Sequence, residues 1–407
     1  MAATVHPKAV TRALRKSDLS GTFVVSKYSF SPYMACEHGC AYCDGRAERY
    51  WVDGSFDRDV VARRNLPSLL ETELPKLREP GFVSIGSGIS DAYQPLERSE
   101  LIMRRSLEVL AQHDHPVTVM TKSALPLRDL DLARAINDRS RFLLIVSLVH
   151  ARDDTRARYE PGAASVMERL AMLRAFRDAG CATGALAMPL LPGITDDDET
   201  IGAIYDELAE CGVSFIQPGG LTLRPGRQKE FFLARLAEHD PALAPLYERF
   251  YAEERKSGMP VSAATRELTE RCLAHHRRVG IPFLVPHSVY HGLLAAYDET
   301  SVLLQHMVEL YAAAGTDTTR LRRACDRYMR RLCDRKRTYN RRSSWDYREL
   351  SEEILAPGAL ERILENEKLA LFLREVFAND KVMDYVSRHL LPETTDCPPA
   401  ACPRGGA

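Results

Sequence analysis

The sequence lacks any run of about 18 consecutive apolar residues, the length a membrane-crossing helix needs, so no membrane partner is expected. It also lacks the apolar middle of a secretory leader. The opening segment, MAATVHPKAVTRALRK, has basic residues but no hydrophobic stretch, so a cytoplasmic location is expected. It has no excess of either charge sign: 55 Lys and Arg stand against 56 Asp and Glu, a formal net charge of -1. That excludes a global basic field for nucleic acid, though not a local patch. Cysteine is thin, with 10 spread unevenly over 407 residues. This excludes a disulfide-stapled scaffold and points to a reducing compartment, where clustered cysteines serve as metal ligands or reactive groups. No internal repeat is evident.

The composition present is that of an ordinary globular protein, 45% apolar and 27% charged, able to bury a large core. At roughly 150 residues per domain the length suggests two or three units, although one α/β barrel can absorb more than about 250. Short apolar runs at 22–28, 82–85, 117–120, 142–149, 183–191 and 213–217 read as buried strands. Helical patterns over 57–77, 99–112, 127–137, 163–179 and 197–209 lie between them, with Ser99 and Ser165 as N-caps and Gly180 and Gly212 as stops. This alternation predicts an α/β fold with parallel strands and right-handed crossovers. A partial TIM-type (β/α)6 barrel fits best, and a doubly wound open sheet is the alternative. Past residue 220 the pattern loosens into a helical insertion at about 225–262, a helix over 265–279 and an apolar run at 281–285. The expected organisation is an N-terminal segment 1–20, a core 21–295, a helical C-terminal domain 296–390 and a disordered Pro- and Ala-rich tail 391–407.

The decisive segment is SFSPYMACEHGCAYCDGR, which places Cys36, Cys40 and Cys43 just after the first predicted strand. Three thiolates can hold three corners of an iron–sulfur cubane and leave one iron open to a cofactor or substrate. A structural zinc site needs four protein ligands, and His38 could supply the fourth. A zinc-containing nucleic-acid-binding protein without radical chemistry therefore stands as the alternative. The position at a strand's C-terminal end, where barrels build active sites, favours the cluster.

The Cys-x3-Cys-x-Tyr-Cys arrangement, with Tyr42 before the last cysteine, resembles the radical S-adenosylmethionine (SAM) signature. Within that superfamily, SPYMACEHGCAYCDGR, GSGISDAYQPLE at 86–97, TKSALPLRD at 121–129, YEP at 159–161 and MPLLPGITDD at 188–197 resemble the spore photoproduct lyase-like group, also called DNA repair photolyase-like. The resemblance covers about residues 20–290. It implies a [4Fe–4S] cluster on Cys36, Cys40 and Cys43, SAM on the fourth iron, and reductive cleavage to a 5′-deoxyadenosyl radical. An external electron donor such as a ferredoxin or flavodoxin is implied with it. Gly86, Ser87 and Gly88 would receive the SAM amino group, with Tyr42, Ser147 and Glu160 as further cofactor residues and Pro192, Gly193 and Ile194 against the adenine. Tyr93, Asp91 and Lys122 are the catalytic candidates: Tyr93 for substrate contact or radical relay, Lys122 for the SAM carboxylate or a substrate phosphate. The competing readings are turns at the glycines and prolines, a solvated lysine, a buried serine and a helix-terminal carboxylate. One departure stands out. The lyase carries a cysteine hydrogen donor near the end of its fourth strand, and FLLIVSLV has none, which argues against thymine-dimer repair.

Residues 320–342 carry eleven Arg and Lys and two Asp, a local charge of +9. With Tyr339, Trp345 and Tyr347 nearby, the segment 320–347 suits a nucleic-acid contact, while a solvated or internally paired helix face is the default expectation. His287 and His291 lie four apart in PHSVYH. With no carboxylate motif beside them, packing rather than metal binding is expected. A second cluster on Cys325, Cys333, Cys397 and Cys402 is disfavoured, since Cys325 and Cys333 are more than two helical turns apart.

Overall fold

The computed structural model describes residues 3–389 apart from 18, 20–23, 51, 87 and 343. Its main sheet has seven strands: β1 (Arg15–Lys16), β2 (Tyr28–Phe30), β3 (Val83–Ile85), β4 (Val117–Thr121), β5 (Phe142–Ser147), β6 (Ala182–Leu190) and β7 (Ile216–Gly220). They lie side by side in chain order, β2 to β7 parallel and β1 antiparallel to β2. Among the described residues β2 and β7 do not pair, so the parallel strands form a (β/α)6 array whose β2 edge is extended by β1 and whose other edge is β7. Helices Leu66–Glu73, Ile102–Leu110, Leu130–Arg139, Val166–Asp178 and Asp198–Glu210 fill the crossovers. A parallel sheet flanked by helices has two buried faces, so its strands read as continuous apolar runs. All six residues of β5 are buried. Ser165 caps its helix in a reciprocal box with Glu168, as the sequence predicts.

Two elements differ from expectation. Pairing of the first strand begins at Tyr28, because the amides of Lys27 and Tyr28 both bond to the Phe82 carbonyl and interrupt the ladder. The predicted strand 22–28 thus ends where the real one starts, and residues 22 and 23 lie outside the described residues. The helix expected over 57–77 is split. Asp59–Ala62 is a strand in a separate three-stranded sheet with Thr4–Pro7 and Tyr33–Met34. β-branched Val60 and Val61 suit that strand, and Pro67 fits only the first turn of the helix that follows. The apolar run 281–285 lies beside β7, where the Pro282 carbonyl accepts from the Ile216 amide at 3.0 Å.

After β7 come helices Arg227–His239, Ala244–Phe250 and Ser262–Val279. Helices Ala296–Ala313, Thr319–Asn340, Tyr347–Leu355, Ala359–Leu364, Glu367–Ala378 and Lys381–His389 gather around a separate apolar core that includes Leu303, Tyr328, Leu350 and Leu373. A buried ion cluster joins the two regions. Lys27 Nζ lies 2.9 Å from Glu79 Oε2 and 2.5 Å from Asp298 Oδ2, and Lys336 Nζ lies 2.7 Å from Asp298 Oδ1. Much of the basic helix is internally paired: Arg327, Arg331, Arg335, Lys336, Arg337 and Arg342 each meet a carboxylate of this chain. The tail 391–407, with Cys397 and Cys402, lies outside the described residues.

Candidate active site

The C-terminal ends of the strands open on one cavity of about 310 Å³. Cys36, Cys40 and Cys43 line it from the loop after β2. Gly88 and Asp91 follow β3, Lys122 follows β4, Ser147 ends β5, Met188 and Pro189 lie in β6, and Gly220 and Leu221 end β7.

The cysteine loop is fixed mainly through its backbone. The Cys36 amide bonds to Phe56 O at 3.0 Å, the Ala41 amide to Tyr159 O at 2.8 Å, and the Gly162 amide to His38 O at 2.9 Å. Buried Arg46 donates to Cys40 O at 3.0 Å and Gly39 O at 3.1 Å, with its guanidinium 3.7 Å from the Phe231 ring centroid. Gln94 accepts from the Glu37 amide at 2.9 Å and donates to Ala35 O at 3.3 Å. At Gly162 a Cβ would stand 2.5 Å from Glu37 O and 2.8 Å from His38 Cα, so the crossover after β5 approaches the loop as only glycine can.

The three thiols are free of disulfides. Burial pushes all three up, Cys40 to about 12, while Lys122 pulls Cys40 and Cys43 the other way. Three desolvated thiols become good ligands only where a cation offsets the cost of thiolate charge. His38 lines the same cavity and turns its Nδ1 to Asp91 Oδ2 at 3.4 Å. Among the described residues, the trio of ligating atoms drawn together as for a single ion is His287, His291 and Glu299, elsewhere in the chain. The donor set here therefore fits an iron–sulfur cluster better than a four-ligand zinc ion.

Asp91 holds the floor of the cavity. Its carboxylate accepts from Thr121 Oγ1 at 2.8 Å and from the amides of Tyr93 at 2.8 Å and Lys122 at 2.7 Å. Burial opposes its charge, but His38 and the donated amides outweigh that and hold it at about 2. The Lys122 ammonium lies 5.6 Å from the Tyr42 ring centroid. Burial works against its charge, and Cys40 and Glu160 more than compensate, so its pKa is raised.

Residues 30–204 match the family model of the radical SAM superfamily. That segment is a radical SAM domain. The chain is also similar to the uncharacterized protein Rv2578c of Mycobacterium tuberculosis, 29% identical over 264 residues, covering 62% of this chain and 76% of that one. ORF301 of Acidianus two-tailed virus is 28% identical over 196 residues, 44% of this chain and 62% of its own length. Among solved structures, a spore photoproduct lyase mutant with bound AdoMet and dinucleoside spore photoproduct superposes with a TM-score of 0.51 at 15% identity, covering 68% of this chain and 79% of that one. A spore photoproduct lyase complexed with dinucleoside spore photoproduct gives 0.50 at 16% identity, with the same coverage. These two share the fold.

The radical SAM domain brings together Cys36, Cys40, Cys43, Tyr42, Gly88, Asp91, Lys122 and Ser147 around the cavity. The remaining candidates stand elsewhere. Tyr93 is buried with its hydroxyl 3.1 Å from Asp129 Oδ2, away from the cavity. Glu160 does not line it but takes the Tyr42 hydroxyl and the Arg169 guanidinium, one on each oxygen, all buried. Burial opposes Glu160's charge, and Arg169, His150 and Lys122 hold it at about 2. Gly86 turns the chain at φ +106° behind the wall, and Ser87 lies outside the described residues. Pro192 borders a second, larger cavity of about 470 Å³. The Gly193 amide bonds to Asp196 Oδ1 at 2.7 Å, and Ile194 packs beside Phe232 and its neighbours. Arg46, Gly162 and Arg169 escape sequence reasoning as site residues. Only Arg46 carried a signal, standing three positions past the last cysteine.

Proposed function

We propose that this chain is a radical SAM enzyme that holds a [4Fe–4S] cluster on Cys36, Cys40 and Cys43 and binds SAM in the cavity they line. The observation that carries this reading is the convergence of three unbridged cysteines and one half-buried lysine on a cavity at the C-terminal ends of six parallel strands. With an electron from an external donor such as a ferredoxin or flavodoxin, the bound cluster and SAM supply a 5′-deoxyadenosyl radical that abstracts a hydrogen atom from substrate.

The chain's own residues position and shield. Lys122 offers the cavity a half-buried cation, suited to the SAM carboxylate. Asp91 fixes the Thr121–Lys122 corner through the bonds already described. Ser147 presents a hydroxyl at the end of β5, and Met120, Leu186 and Met188 supply an apolar wall that keeps water from the reacting centre. The larger cavity shares Gly220 and Leu221 with this one and is lined by Phe250, Tyr251, Leu268 and Phe283. It supports a substrate with an apolar or aromatic portion entering from the β7 side. Thymine-dimer repair is not supported. Cys36, Cys40 and Cys43 are the cavity's cysteines among the described residues, while Cys181 precedes β6 at the opposite end of the sheet.

The test is cluster content. After anaerobic reconstitution the parent should bind about four irons and four sulfides and turn brown, and Cys40→Ala should hold little of either. A colourless parent that takes zinc and no iron would overturn the reading.

A further inference from the structure

His287 and His291 were expected only to pack. The structure gives them a carboxylate that no local motif announced. The short helix His287–Tyr290 sets the two imidazoles one turn apart. The chain then reverses at Gly292, φ +71°, and Glu299 returns in the first turn of helix Ala296–Ala313. His287 Nε2 lies 2.6 Å and His291 Nδ1 2.7 Å from the same oxygen, Glu299 Oε1, and the Gly292 amide donates to Oε2 at 3.1 Å. One ligating atom from each of the three side chains falls within 4.8 Å of the others. His287 and Glu299 are 0% and 2% exposed, and His291 is 33% exposed.

Without an ion, both imidazoles direct N–H groups at one carboxylate oxygen, which can accept two. His287 Nδ1, also buried, has no hydrogen-bond partner among the described residues. Two imidazole nitrogens and a carboxylate oxygen gathered in a low-dielectric pocket are a His2Glu donor set, which suits zinc at ligand distances of about 2.0–2.2 Å.

We propose that His287, His291 and Glu299 bind one zinc ion, separate from the cysteine cavity, with water completing the coordination on the exposed side of His291. The ion ties the segment after residue 285 to helix Ala296–Ala313. Two more elements pack against it. The Phe377 ring centroid lies 6.4 Å from that of His291, and Ser288 bonds to Asp384 of the last described helix.

The test uses the full chain with its cluster assembled. Protein is exposed to zinc chloride alone, desalted, and assayed for zinc and iron together by plasma mass spectrometry. The expected result is about one zinc per chain in the parent, and in Cys40→Ala despite its lost iron. His291→Asn and Glu299→Gln should hold at least tenfold less zinc with iron unchanged. His291 is partly exposed, so circular dichroism of His291→Asn can verify folding. A folded parent that retains no zinc, or a folded His291→Asn that retains as much as the parent, overturns the proposal. Zinc lost from Cys40→Ala along with its iron also overturns it, by placing the ion on the cysteines.

Discussion

Arg169 shows how a single residue outside the cavity can set its wall. Its guanidinium is buried and spans three partners: Glu160, Ser147 O at 2.9 Å and Ala164 O at 2.9 Å. Through Glu160 it fixes the Tyr42 hydroxyl, and through Ser147 it fixes the end of β5. Removing one member of a buried pair leaves the other charge uncompensated. Arg169→Met should therefore destabilise the fold by about 3 kcal/mol, read as a lower urea midpoint, whereas Glu160→Gln with Arg169→Met together should cost less than the sum of the singles. Additive losses would show the pair is not coupled. The sequence could not announce Arg169. An arginine in the middle of an amphipathic helix reads as solvent-facing, and its burial depends on a glutamate in a preceding loop. The cysteines were legible because their spacing is local and their chemistry narrow. Tyr93 and Pro192–Ile194 were placed near the right strand ends, but sequence distance from a strand end does not say which wall a side chain meets.

The elements explain why the cysteine loop keeps its shape. The crossover after β5 touches that loop at Gly162, where no Cβ can be accommodated. Gly162→Ala must push the loop or the crossover aside. It should lower iron retention after reconstitution severalfold relative to the parent, with the secondary structure by circular dichroism unchanged. Equal iron in both would show that the contact does not position the ligands. Most of the parallel strands were readable because they are short and largely apolar, as Phe142–Ser147 is. Asp59–Ala62 was not, because a four-residue strand in a peripheral sheet is specified by its partners at Thr4–Pro7 and Tyr33–Met34 rather than by its own pattern.

At the scale of the whole molecule, the buried cluster of Lys27, Glu79, Asp298 and Lys336 links the sheet to the C-terminal helices. Burial disfavours the Glu79 charge, yet Lys27, Lys336 and Lys16 hold its carboxyl down at about 2, below the ordinary 4.5. A depressed carboxyl contributes stability above its unfolded pKa and loses it as pH falls toward the folded value. The parent should thus lose stability between about pH 4.5 and pH 2. The gap in urea midpoint between parent and Glu79→Gln, wide at pH 7, should narrow over that range. A gap independent of pH would contradict the assignment. This link was invisible in the sequence, since Lys27 and Glu79 stand more than two hundred residues from Asp298 and Lys336.

The central claim is that the cysteine cavity initiates radical chemistry on SAM. The most direct measurement is anaerobic: reconstituted protein, dithionite and SAM, with 5′-deoxyadenosine quantified by mass-resolved chromatography beside a Cys40→Ala control. The parent should yield 5′-deoxyadenosine and methionine, and Cys40→Ala neither. A parent with a full cluster that yields no 5′-deoxyadenosine above the control would contradict it.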